Sequence, residues 1–124
     1  MENSRNTEFG SLLKSLRLDR KITLRRFAEM LDIAPSYLSD VENSRKGPFS
    51  PGLLKKAAEI LRLTPEEQET FDDAVGKWSN NVAQDISTYM NSMPYARIAM
   101  RVAEKYNATD EDFIEFITKL QSKQ

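Results

Sequence analysis

The chain of 124 residues contains no cysteine and no histidine. It has few glycines and prolines, 4 and 5 respectively. No apolar run approaches the roughly 20 residues needed to span a bilayer. Without cysteine there is no disulfide framework and no thiolate metal site, which fits a reducing compartment. Without histidine there is no Ser-His triad, no His-rich zinc site and no imidazole acid or base. Catalysis would have to rest on Ser, Tyr and carboxylates with no cofactor motif beside them, so the expectation is no enzyme, no cofactor and no metal. The acidic run Asp110, Glu111, Asp112 and Glu115 does not alter this, because no glycine stands where a calcium loop needs one. Acidic residues in a first helical turn already answer the helix dipole. The start, Met1 to Thr7, is polar rather than signal-like, and the expected setting is cytoplasmic, with no membrane partner.

What is present is unevenly distributed. The formal net charge is −1, yet residues 1–62 hold 12 basic and 8 acidic side chains, a net of +4. Residues 63–124 hold 6 and 11, a net of −5. Lys14, Arg17, Arg20, Lys21, Arg25 and Arg26 fall close together, and Arg45 and Lys46 follow in a loop. A basic half joined to an acidic one points to a polyanionic partner for the first half.

Apolar spacing is helical nearly throughout, and no segment alternates with a period of two. Phe9, Leu12, Leu13 and Leu16 make one face of a first helix, with Thr7 as its expected cap. Leu24, Phe27, Ala28 and Leu31 repeat behind Thr23. A short connection through Asp32, Ile33 and Ala34 leads to Pro35 at the first position of a third helix bearing Leu38 and Val41. Ser50-Pro51 opens a fourth helix, and Thr64-Pro65-Glu66-Glu67 is a capping box opening a fifth. After an expected break at Ser79, Asn80 and Asn81, weaker helical patterns run from Val82, from Pro94 and from Thr109. The fold class is all-α, with seven or eight short helices. The expected division is a domain of residues 1–63 followed by a helical extension of residues 64–124.

Two short helices joined by three or four residues, Thr23 to Leu31 and Ala34 to Asn43, form a helix-turn-helix pattern. The string from Thr23 to Asn43 resembles the Cro and phage-repressor (XRE-type) helix-turn-helix family, over about Phe9 to Leu63. Ala28 stands at the family's small position between the two motif helices. Glu42 and Arg17 stand where the family places a structural ion pair. The sequence departs from the pattern at Asp32, where Gly is frequent, at Ala34, where Ser or Thr often caps, and at Leu24, where Gln is common. The resemblance implies a five-helix lambda-repressor-like domain that binds double-stranded DNA and regulates transcription, most simply as a repressor.

It also implies roles for particular residues. Pro35, Ser36, Tyr37, Ser39 and Asp40 would face the bases. Ser36 can donate or accept, Asp40 can accept from a cytosine amino group, and Pro35 can touch a thymine methyl. Thr23, Arg25, Arg26, Asn43, Arg45 and Lys46 would hold phosphates. Members usually act as homodimers on palindromic sites. The expected dimer or partner surface is Phe71, Trp78, Ile98, Val102, Phe113, Phe116, Ile117 and Leu120. The alternative is an antitoxin-type protein that autoregulates its operon while these later helices bind a partner protein.

Overall fold

A computed structural model describes residues 6–79 and 82–123. The expected break at 79–81 therefore lies partly outside the described residues. Among these there are eight α-helices and no strand: α1 (Glu8–Asp19), α2 (Leu24–Leu31), α3 (Pro35–Glu42), α4 (Pro51–Leu61), α5 (Pro65–Ser79), α6 (Gln84–Ser92), α7 (Pro94–Lys105) and α8 (Asp110–Gln121). This is the all-α architecture that the apolar spacing predicts.

Local chemistry sets the helix ends. Thr23 sits in extended backbone and its hydroxyl accepts the N–H of Arg26 at 3.0 Å, satisfying one of the orphan donors of α2. Asp32 ends α2 in the left-handed region, with φ 59°. A short polar side chain tolerates that conformation better than a branched or bulky one, so Asp32 can stand where glycine is frequent. Ala34 offers no side-chain cap to α3, and Pro35 follows at its start with no N–H to satisfy. The Thr64 capping box forms in both directions, at 3.0 and 3.1 Å, and Thr109 with Asp112 makes a second one at α8. Thr7 and Ser50 occupy cap positions but make no side-chain cap bond; at α1 the Asn6 amide oxygen accepts the N–H of Glu8 instead.

The chain divides into two compact units, one reaching residue 84 and one beginning at residue 85. In the first, α1 packs on α3 and α5, and α2 packs on α3 and α4. Its core joins Phe9, Leu13 and Leu16 of α1 to Phe27, Ala28 and Leu31 of α2, Leu38 and Val41 of α3, and Phe49, Ala57 and Leu61. From α5 come Phe71 and Ala74. Phe9 is central, its ring 5.3 Å from that of Phe71 and 6.3 Å from that of Phe49. Phe71, expected on a dimer or partner surface, is only 1% exposed, because α5 lays it against Phe9 to close the core. Burial of a side chain this size stabilises the unit by about 1.5–3 kcal/mol, so α5 belongs to this core although it lies beyond the expected boundary at residue 63.

The second unit is different. None of its described side chains is buried, and the large apolar residues of α7 and α8 are exposed.

Gly10 lets α1 approach the end of α3. A Cβ at this position would stand 2.6 Å from the carbonyl oxygens of both Val41 and Glu42 and 2.8 Å from the Ser44 hydroxyl. In an exposed helix Gly→Ala stabilises by roughly 0.5–1 kcal/mol. Here Gly10→Ala is expected to have the opposite sign, lowering the urea midpoint, since two backbone carbonyls must give way.

Arg20 ties α1 to the end of α4 and the start of α5. Its Nε donates to the Leu61 carbonyl at 2.7 Å and its Nη2 to Glu67 at 2.6 Å. The Arg20 hydrogen bond first, and the Thr64 N–H second, hold the Glu67 carboxyl below its usual value of about 4.5. A carboxylate lowered on folding stabilises above its unfolded pKa and loses that contribution as pH falls through its folded pKa. The urea midpoint is therefore expected to drop as pH falls below about 4.5. Glu67→Gln should flatten that part of the acid limb; an unchanged limb would remove Glu67 from it.

Candidate nucleic-acid interface

The three residues Asp32, Ile33 and Ala34 turn the chain from α2 into α3, and Ala28, fully buried, lets the two helices meet closely. The far end of α3 is anchored to α1. Arg17 donates from Nε to Glu42 Oε2 at 2.7 Å and from Nη2 to Glu42 Oε1 at 2.9 Å, a bidentate pair with both residues 5% exposed. Its remaining Nη1 donates to the Ile22 carbonyl at 2.9 Å. The structure thus forms the Arg17–Glu42 pair that the family resemblance implies. Arg17 and Arg20 both spend their donors inside the fold, so the basic cluster near the N-terminus is smaller at the surface than its sequence suggests.

The residues expected to face bases fall into three environments. Pro35 and Ser36 are exposed at the first turn of α3. Tyr37 is half-buried with its ring 6.0 Å from that of Phe49, so packing fixes much of its surface. Ser39 and Asp40 are half-buried and already bonded. Asn43 Nδ2 donates to the Ser39 carbonyl at 2.9 Å and to its hydroxyl at 3.2 Å, and Arg45 Nε donates to Asp40 Oδ1 at 3.0 Å.

A sharp reversal after α3 creates that last contact. Ser44 adopts φ 63°, and the N–H groups of Arg45 and Lys46 both reach the Asp40 carbonyl, at 2.8 and 3.2 Å. Arg45 and Lys46 are thereby turned back beside α3 rather than trailing away from it. Of the other expected phosphate contacts, Thr23 is committed through its hydroxyl to the cap of α2. Arg26 pairs with Glu29 one turn on, whereas Arg25 and Lys46 enter no ion pair with the described residues. Adjacent side chains on a helix diverge by about 100°, which explains the different fates of Arg25 and Arg26.

Three small residues that carry the site were not singled out in the sequence. Gly10 admits the α3 terminus, Ser44 makes the reversal, and Gly47 lies beneath Trp78. A Cβ on Gly47 would stand 2.6 Å from the indole Nε1 and 2.9 Å from Cε2. Trp78, expected on a dimer or partner surface, is half-buried with its ring on the segment that carries Arg45 and Lys46. The glycine signals were visible, but only close approach gives them meaning. Ile98, Val102, Phe113, Phe116, Ile117 and Leu120 lie in the second unit, all exposed.

Comparison with known proteins gives the same motif. A family model described as a helix-turn-helix domain matches residues 8–71. The HTH-type transcriptional repressor RghR of Bacillus subtilis (strain 168) is 34% identical over 58 residues, 47% of this chain and 43% of that one. An uncharacterized HTH-type transcriptional regulator of the same organism, RghRB, is also 34% identical over 58 residues, covering 47% and 42%. The matched segment is less than half the length of either relative. Among solved structures, two of the clp gene regulator ClgR from Corynebacterium glutamicum are similar. One has 32% identity and a TM-score of 0.48, covering 61% of this chain and 95% of that one. The other has 30% identity and a TM-score of 0.49, covering 76% and 99%. With its matched segment spanning more than half its length, the chain belongs to the helix-turn-helix family, of the XRE-like kind that its sequence resembles.

Proposed function

We propose that the chain is a sequence-specific DNA-binding transcriptional regulator, a repressor that acts in the cytoplasm as a dimer on a palindromic operator. The observation that carries this reading is the presentation of α3. Its first turn is exposed at Pro35 and Ser36, its end is clamped by Arg17 and Glu42, and the reversal at Ser44 sets Arg45 and Lys46 beside it. Exposed base-reading side chains on a rigid helix with flanking cations are what direct readout and phosphate gripping need. Both relatives from Bacillus subtilis carry transcriptional regulation in their names, and the residues matched by the family model include this motif.

Asp40 fits the reading once its partner is considered. A bare carboxylate close to phosphates would be repelled, but Arg45 neutralises it through Oδ1. Its second oxygen can then accept from a cytosine amino group. Arg25, Arg26 and Lys46 supply phosphate contacts, Thr23 contributes through the start of α2, and Asn43, also expected at a phosphate, holds Ser39 instead.

Selection of bound duplexes from a random pool is expected to enrich a palindrome; a pool that stays unenriched contradicts sequence-specific binding. On the enriched duplex, Arg25→Ala with Lys46→Ala is expected to weaken binding to all sequences alike and to reduce the salt slope by about 2. Ser36→Ala should instead change which bases are preferred, at a cost of roughly 1–3 kcal/mol for the base it contacts. If both leave binding unaltered, α3 is not the reading helix.

A further inference from the structure

The second unit, from residue 85, consists of about 40 residues without one buried described side chain, too few and too open for a core of its own. Yet its helices are strongly amphipathic. In α7, Tyr95, Ile98, Val102 and Tyr106 form a stripe that reaches the cap of the helix; in α8, Phe113, Phe116, Ile117 and Leu120 form another. Ile98, Val102 and the four of α8 are between 38% and 54% exposed. α7 and α8 are not among the helix pairs that pack most extensively, and these side chains keep about half of their surface open to solvent.

Charge tells which surface suits each stripe. α7 carries Arg97, Arg101 and Lys105 against Glu104, a net of +2. α8 carries Asp110, Glu111, Asp112 and Glu115 against Lys119, a net of −3. Pairing α7 with α7, or α8 with α8, sets like charges together, whereas α7 against α8 is attractive.

We propose that the α7 and α8 stripes are the contact with a second copy of this chain, with α7 of each copy seated on α8 of the other. One two-fold axis satisfies both contacts at once, as an isologous interface requires. Half-exposed side chains of this size offer roughly 80–100 Å² each. With Tyr95 and Tyr106 the two stripes offer on the order of 700 Å² per copy, close to the ~800 Å² per partner of a standard stable interface. The proposal deepens the reading of a two-fold operator by naming the surface that makes the pair. Its test contains no DNA, so it can fail while DNA binding stands, and the reverse.

The test is sedimentation of the full chain. A dimer is expected at about 10 μM. Val102→Asp in α7 and Ile117→Asp in α8 are each expected to raise the dissociation constant about tenfold or more. Fluorescence of Trp78, the one tryptophan in the chain, and the urea midpoint of the first unit should stay unchanged. The pairing has its own test. Arg97→Glu with Arg101→Glu, and separately Glu111→Lys with Glu115→Lys, should each weaken the dimer, and mixing the two variants should restore it as a heterodimer. A wild-type chain that remains monomeric at about 100 μM overturns the proposal and leaves the stripes to a different protein. A dimer that survives both Asp substitutions overturns the surface. Two weakened charge variants that fail to combine overturn the pairing of α7 with α8.

Discussion

The bidentate pair between Arg17 and Glu42 is the constraint on which the rest of the first unit depends. Two charges taken from water to 5% exposure bring no stability by themselves, because their desolvation offsets most of their attraction. What the pair provides is registry. The guanidinium fork fits the carboxylate in one geometry only, and its third contact to the Ile22 carbonyl fixes the entry to α2 as well. One side chain of α1 thus holds the end of α3 and the start of the motif at a set distance. Loss of a single partner would leave an uncompensated buried charge, costing about 3–5 kcal/mol. The same geometry makes Gly10 necessary, since the α3 terminus is drawn so near α1 that no Cβ fits.

A rigid α3 explains why the reversal after it is effective. Ser44 and the Asp40 carbonyl turn Arg45 and Lys46 back along the helix, and Trp78 lies over Gly47 on the same segment. Cations that would otherwise sweep a large volume are brought to one side of the motif, and less conformational entropy remains to be lost when they meet an anion. Asp40 belongs to the same arrangement, as a carboxylate whose charge is already answered by Arg45.

Periodicity and cap chemistry made the elements legible. All eight helices follow from apolar spacing and N-terminal signals, as do the Thr23 cap and the Thr64 capping box. The pairing of Arg17 with Glu42 was legible only through the motif, since 25 residues separate the partners. Surface against core in α5 was not legible. Phe71 and Trp78 sit on an amphipathic face that reads identically whether it covers its own chain or another, and only the approach of Phe9 and Gly47 decides. The charge cluster misled in a similar way, because Arg17 and Arg20 count as basic in sequence but spend their donors on carbonyls and carboxylates of the fold. In α7 and α8 the apolar stripes of the sequence are present and uncovered, which is why the extension reads as an interaction surface while α5 does not.

The central claim, that α3 and the turn after it contact DNA while the second unit does not, is most directly tested by amide chemical shifts of the labelled full chain titrated with its selected duplex. Changes are expected at Thr23 to Arg26 and from Ser36 to Lys46, with α7 and α8 unmoved. Changes concentrated in α7 and α8, with α3 silent, would contradict it.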